Sequence, residues 1–413
     1  MEAKGSRQHM EAKGSSQPLG PGFRSLLVGV AISNMGDGIR LAALPIVAAA
    51  LTNDSKFWVA SVTAVQFLPW LLAAPLLGVV VDRADRRRLV IVTQSWRAAV
   101  MIGFGALIFT NNASMATVLV VAFVITAGEI LVDPSVTAIV PTIVRRENLD
   151  RANGRVSAVE TVTNNLLGGP VGVGLYLAAR WLPFVSDGLT YAGSVVAFRR
   201  MPKTPKSGPT SIGLRETLAE IPQGVRWLRV HPMLRPWTAG VAVFNLGAAS
   251  GFSLIYLLVV DTHNESNLVY GAILALAAAG ASVGASIAPR LAGRFGRPRV
   301  LIVSAATSAL SLLFLAGAPS VWVVVVVWAI NGAVSGVSMA LGRGYVQRYA
   351  RGEILGRAVI GQRMVTRTAF VVGAFGGGAL AEILGLRVSY VCAGMLQLVA
   401  LIPMGRGLRH DRD

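Results

Sequence analysis

The sequence predicts an all-α integral membrane protein whose twelve transmembrane helices form two pseudo-symmetric six-helix halves. Three observations carry this expectation. Of 413 residues, 54% are hydrophobic and only 14% charged, with a mean hydropathy of +0.60, well above that of a soluble domain. The apolar residues fall in runs of about 20 without strict alternation, which suits helices crossing a bilayer and not barrel strands. Basic residues gather at alternate links between those runs, the asymmetry that orients membrane proteins.

Taken in order, the spans are expected at 25–51, 57–81, 89–110, 115–140, 156–179, 182–198, 234–260, 268–289, 299–317, 320–341, 360–384 and 387–405. A short N-terminal tail (1–24), a first half (25–198), a linker (199–233), a second half (234–405) and a C-terminal tail (406–413) follow from them. Links after odd-numbered spans are mostly short, whereas those after even-numbered spans are longer and basic, as in DRADRRR from Asp82 and RRENLDRANGR from Arg145. Of 38 Lys and Arg, only Lys56, Arg180 and Arg387 fall on the opposite side, and Arg40 and Arg97 lie within spans; Arg363 and Arg367 are counted with the basic links, just inside the start of span 11. Both termini and the linker are therefore expected in the cytoplasm. The net charge of +18 is then topogenic and faces the bilayer surface, and nucleic acid is not an expected partner.

Several classes are excluded. One cysteine, Cys392, forbids a disulfide framework. The histidines, His9, His231, His263 and His410, lie outside the spans and never approach ligand spacing, so no metal is expected. Neither HExxH nor a Ser/His pair at depth is present, so the chain is not read as an enzyme. The phosphate-binding pattern GxxxxGK[ST] is absent, so transport, if that is the function, is not expected to be ATP-driven. The first apolar run is too long for a cleavable signal and lacks a small-residue cleavage site. The opening MEAKGSRQHMEAKGS repeats its own first six residues and receives no functional reading.

Two stretches echo each other across the chain. LDRANGRVSAVETVTNNLLGGPVGVGL from Leu149 is similar to LGRAVIGQRMVTRTAFVVGAFGGGAL from Leu355, and DRADRRRLV from Asp82 has a weaker echo in GRFGRPRVL from Gly293, both displaced by a little over 200 residues. Two homologous halves produce such an offset. Within the linker, LRETLAEIPQGVRWLRVHP places Leu214, Leu218, Ile221, Val225 and Leu228 at helical spacing, an amphipathic helix expected on the membrane surface and kinked or broken at Pro222.

GVVVDRADRRR, Gly78 to Arg88, resembles the G-x-x-x-D-R-x-x-R-R loop between the second and third helices of the major facilitator superfamily, and spans, sidedness and repeat extend the resemblance over nearly the whole chain. Taken by chemistry, Gly78 permits close helix contact, Asp82 can accept from a helix N-terminus, and Arg86 can pair with an acid across the bundle. The resemblance implies a conformational latch made of Gly78, Asp82, Arg83, Arg86 and Arg87, with Asp133 as the acid facing Arg86. Asp85 stands where the motif usually has glycine. GGPVGVG, with Gly169, Pro170, Gly172 and Gly174, resembles a degenerate antiporter signature on span 5, where small residues and a proline make a pliable helix; plain packing is the alternative. GDGIRLAALP, DPSVTAIVPTIVRRENLDRANG and SDGLTYAGSVVAF resemble the bacterial branch of macrolide-efflux and enterobactin-exporter proteins. That branch implies an efflux carrier in a bacterial inner membrane. The chain is further expected to be a secondary transporter of a small molecule, embedded in lipid, monomeric, without cofactor and powered by the proton gradient. Import, lysolipid transport, or a receptor or scaffold that transports nothing are the rival readings.

Charges at the centre of a span are costly, about 2.5 to 3.5 kcal/mol each on insertion scales, and mark a cavity or a partner. Asp37 and Arg40 are three residues apart near mid-depth of span 1, on one face; Arg97 in span 3 and Glu129 in span 4 are near the same depth. Two readings of Asp37 stand open: a proton site tuned by Arg40 or Arg97, or a permanent pair with Arg40 that only orients helices; Glu129 is the next candidate for the proton. Asp133, Glu160 and Asp187 lie nearer helix ends and are read as structural. A cavity is expected between spans 1, 4, 7 and 10, with Asn34, Phe123, Phe244, Asn245, Tyr256, Trp328 and Asn331 as candidate lining. Their mostly apolar character favours an amphipathic or lipophilic substrate.

Overall fold

The computed structural model describes residues 19–202, 214–342, 345, 349–350 and 353–408. Helices cover every expected span: α1 (Pro21–Thr52), α2 (Lys56–Leu72), α3 (Ala74–Arg83), α4 (Arg86–Phe109), α5 (Met115–Ile143), α6 (Leu149–Glu160), α7 (Gly169–Ala178), α8 (Leu182–Arg199), α9 (Leu214–Val230), α10 (Leu234–Leu257), α11 (Asn267–Phe295), α12 (Arg297–Ala316), α13 (Val321–Gly342), α14 (Glu353–Leu384) and α15 (Leu386–Leu408). Nine helical stretches among the described residues are long and apolar enough to cross a membrane. The other three passes are α2 with α3, α6 with α7, and α8. Large apolar side chains such as Phe109, Phe314, Trp322 and Ile402 are exposed on the helices, which suits lipid and not water.

Helices at the end bearing the termini outrun their apolar stretches. The fourteenth begins at Glu353, not near 360, and the eleventh continues to Phe295. A helix continues as long as its backbone ladder is satisfied, whatever the polarity of its side chains. Two passes are locally broken. The second pass breaks at Ala73, between Pro69 and Pro75, neither of which can donate to a preceding turn. In the fifth, Thr161–Gly168 is a wide π-helical segment leading into Gly169-Pro170; Pro170 has no N–H for the carbonyl of Leu166, so the turn widens there. Tight links at Gly296 (φ 80°) and Gly385 (φ 90°) adopt the left-handed region that glycine enters without strain.

The linker differs from expectation. The segment 203–213 lies outside the described residues, but α9 runs through Pro222 without a break. It does not lie free on a membrane surface: it packs chiefly along α14, with Leu228 buried and Gly224 against the backbone of Arg357. The described apolar residues of this face, Val225 and Leu228, meet protein because α14 extends so far beyond the hydrocarbon-length run.

Contacts between the first seven segments and α10 to α14 concentrate at the end away from the termini. There α2 packs against α14 and α10, while α7 and the π-segment pack against α11. The rings of Phe67 and Phe370 lie 4.3 Å apart and those of Phe57 and Phe375 6.3 Å apart, around Ala64, Ala249, Val371 and Ala374. Glu382 of α14 closes the rim: its carboxylate accepts from the backbone N–H groups of Lys56 (2.7 Å) and Phe57 (3.2 Å) and from the Ser55 hydroxyl (3.3 Å). It thereby caps the N-terminus of α2, where a negative charge is favourable. Lys56 also reaches Asp261 at 3.8 Å.

Two expectations follow. In Glu382→Gln the far end opens several-fold more often, read as a longer-distance population between spin labels placed at Trp58 and Ile383 in a background lacking Cys392. Gly336 packs directly on the backbone of Ala281, so Gly336→Val forces α11 and α13 apart at a cost of about 1–3 kcal/mol, measured as a lowered Tm of the purified protein.

Candidate functional site

The centre of the first half holds a closed ionic network. Its position follows from helix spacing: Asp37 and Arg40 lie on one face of α1, and Asp187 and Tyr191, four residues apart on α8, face them at matching heights. Close approach of these helices depends on Gly36, where a Cβ would strike the side chains of Thr190 and Asp187. Arg97 comes from α4 and Glu129 from α5.

Asp37 Oδ1 accepts from Arg97 Nη2 (2.7 Å), from the Tyr191 hydroxyl (2.6 Å) and from Arg40 Nη2 (3.2 Å). Arg40 also donates to Glu129 and stands 3.6 Å from Asp187. Arg97 reaches Glu129 at 3.4 Å, Gln94 at 2.9 Å, and lies over the Tyr191 ring, 4.0 Å from its centroid. Three carboxylates thus face two guanidiniums. Both arginine side chains are 1% exposed and Asp187 is 0% exposed, whereas Asp37 retains 10% and Glu129 23%. A narrow cleft reaches the network, lined among others by Asn34, Asp37, Arg97, Asp133 and Glu160.

The four charges expected near mid-depth are therefore in one place, but Asp37 and Arg40 do not form an isolated pair. Asp187, read from its position near a helix start as structural, is a full member of the network. Its helix begins at Leu182, five residues before it, so position along one helix did not show its place beside Arg40. Tyr191 and Gln94 were not anticipated; the four-residue spacing of Asp187 and Tyr191 was the available signal. Glu160 and Asp133 line the cleft.

The expected contact between Asp133 and Arg86 is not formed in this arrangement, in which the far end is closed. Among the described ion pairs none joins Asp133 to Arg86, and Asp133 faces the cleft instead. Among the described residues Arg86 Nε is buried without a hydrogen-bond partner. Arg87 donates to the carbonyls of Phe198 (3.2 Å) and Arg199 at the end of α8, a favourable place for a cation; Arg83 is exposed. The side chain of Asp82 lies outside the described residues. Gly78 has open space where a Cβ would be, so it makes no close helix contact here. Asp85 replaces the usual glycine without strain because it caps α4, accepting from the Arg88 N–H at 3.0 Å with an extended backbone.

On the fifth pass the close contacts belong to Gly168, against the backbone of Gly38, and Gly172, against Ile39. Gly169 makes only ordinary contact with Leu274, Gly174 has open space, and Pro170 borders Gly271. Among the expected cavity residues, Asn34 lines the cleft and receives an amide N–H from Asn164 at 3.4 Å. Tyr256 and Trp328 are buried in the apolar core, Tyr256 edge-on to Tyr270 at 5.1 Å; large amphipathic rings at these depths pack between helices. Asn245 donates to the Thr366 carbonyl (3.2 Å), and Asn331 to Ser308 Oγ (3.1 Å), which in turn reaches Gln397 at 3.1 Å. Their polarity is used between helices. Phe244 packs beside the core nearest the termini, and Phe123 is partly buried on α5.

Known proteins agree with this architecture. The sequence matches the transmembrane secretion effector family over residues 15–408. Enterobactin exporters EntS of Shigella boydii serotype 4 and of Escherichia coli O6:K15:H31 are each 25% identical to it over 346 residues, 82% of this chain and 80% of theirs. The fold superposes on the nucleoside transporter NupG with a TM-score of 0.75 at 11% identity, covering 93% of this chain and 98% of that one. A bacterial homologue of the iron transporter ferroportin gives 0.73 at 15% identity, with 94% and 100% covered. With a family match spanning nearly its whole length, the chain belongs to the transmembrane secretion effectors of the major facilitator superfamily, and is a multi-pass transporter of the inner membrane.

Proposed function

We propose that the chain is a secondary, proton-coupled exporter of a small amphipathic compound of siderophore, macrolide or drug type, working by alternating access with both termini in the cytoplasm. The charge balance of the buried network carries this reading. With Asp37, Glu129 and Asp187 all ionised against Arg40 and Arg97, the cluster holds one excess negative charge in a medium that penalises it heavily. One proton removes the excess.

The contacts supply a two-position element on which that proton can act. Arg40 and Arg97 each reach both Asp37 and Glu129, so neutralising one carboxylate releases both guanidiniums toward the other. Because these groups come from α1, α4 and α5, the exchange repacks helices as well as charges. Asp37 and Glu129 are the members with remaining access, and the cleft at Asp37 supports a release route while the far end is shut. The basic links support a cytoplasmic placement of the termini, and likeness to exporters of enterobactin supports efflux of a compound of that kind.

In everted vesicles, proton release on adding enterobactin or a macrolide should be detectable with a pH-sensitive dye for the wild type. Asp37→Asn is expected to abolish it while leaving gradient-free exchange of the same compound; pH-dependent transport that is unchanged in correctly inserted Asp37→Asn removes Asp37 from coupling. Asp187→Asn cancels the excess charge permanently, so transport by this variant should lose most of its dependence on the pH gradient, measured by the same assay at two outside pH values.

A further inference from the structure

Arg367 was counted with the topogenic residues at a helix start, but α14 begins at Glu353 and carries it far into the bundle. At about 1.5 Å per residue from the far ends of their helices, Arg367, Trp70 and Asp37 lie at depths of about 25, 21 and 22 Å. Arg367 is thus level with the ionic network, but across the interface from it. Its guanidinium carbon lies 5.0 Å from the centroid of the Phe67 ring and 5.6 Å from that of Trp70, both on α2. Phe370, one turn on, belongs to the apolar seal that closes the far end.

Among the described residues no carboxylate comes within 4.0 Å of Arg367. The other two mid-depth arginines are held by three acids. Stacking on two rings offsets part of the cost of a charge at this depth, but it engages the face of the guanidinium and leaves its in-plane N–H donors available. Those donors fit a planar anion bidentately, and the side chain is only partly buried. Asp133 and Glu160 line the cleft of the first half, where they would repel an anion from the network.

We infer that Arg367 is the docking point for an acidic group on the transported compound, a carboxylate or phenolate, with Phe67 and Trp70 receiving the flat apolar part beside it. The proposal rests on the reading of the chain as a transporter of a small amphipathic compound and names the charge of that compound. It also gives binding a consequence. The same stacking ties α2 to α14 just inside the seal, so an anion that reorients Arg367 loosens the contact that keeps the far end shut.

Binding of naphthoate and its neutral isostere naphthamide to the purified full chain, by equilibrium dialysis without a proton gradient, tests this. The wild type should prefer naphthoate about tenfold or more, the size of one charge-assisted pair. Arg367→Gln should erase the preference, Arg367→Lys should keep part of it, and Trp70→Ala should weaken both probes alike. Equal binding of the two probes by the wild type overturns the proposal, as does a preference undiminished in Arg367→Gln. Where Arg367→Gln does not survive purification, a Lys variant as selective as the wild type overturns it, since a point charge cannot reproduce a bidentate contact. Asp37→Asn should retain the preference, so loss of proton coupling and loss of this site are read separately.

Discussion

Two guanidiniums placed in the middle of a bundle of apolar helices must be compensated, and the first half is organised around that requirement. Neither Arg40 nor Arg97 can lose its proton, and at 1% exposure neither can borrow water. Each therefore demands carboxylates from neighbouring helices, and the demand fixes how those helices sit. Asp37 is shared by both arginines and by Tyr191, so shifting α1, α4 or α8 alone would strand a buried charge. Packing by shape serves this arrangement: Gly36, Gly38, Gly168 and Gly172 bring α1 close enough to its neighbours for the short side chains to meet.

The second half solves its packing differently. Its helices approach through small residues, with Gly280, Gly284, Gly332 and Gly336 against Ala277, Ala281, Ala329 and Ala333 between α11 and α13. Backbones in such contact gain dispersion and weak polar attraction without any charged group. Polar side chains there, Asn331, Ser308 and Gln397, form one short chain of neutral hydrogen bonds. A half held by shape has one preferred packing, while a half held by exchangeable ion pairs has more than one. On the proposed reading, the division sets an element able to switch beside a partner held by shape.

Much of this organisation was legible in the sequence because the bilayer enforces it. Apolar run length and basic links located every helical pass, and mid-depth charge singled out Asp37, Arg40, Arg97 and Glu129, since few residues are allowed there without a reason. What was not legible depends on how helices rotate about their axes. Asp187 lies too near the start of α8 to stand out by depth, and only its apposition to Arg40 reveals its role in the network. Asp133, which the resemblance pairs with Arg86, lines the cleft in this arrangement, and Tyr256 and Trp328 face the core. Length and polarity fix how deep a residue sits but not which way it points. Arg367 shows a further limit: the apolar run understated the length of α14, so a residue at mid-depth was taken for one at the boundary.

The closed far end depends on contacts unlike those at the centre. Its seal is aromatic and aliphatic, and its rim is the Glu382 carboxylate on the exposed N–H groups of α2, with the partly exposed pair of Lys56 and Asp261 beside it. Exposed charge-assisted contacts of this kind contribute little individually, and apolar contacts between two preformed surfaces separate without leaving a buried charge behind. Opening there is therefore inexpensive compared with rearranging the central network, which cannot part without desolvated ions losing their partners. A transporter that opens easily at its rim but only reluctantly at its ionic centre is controlled from the centre. On the proposed reading, the centre of this chain responds to whatever changes the balance of three acids and two arginines, and the rim follows.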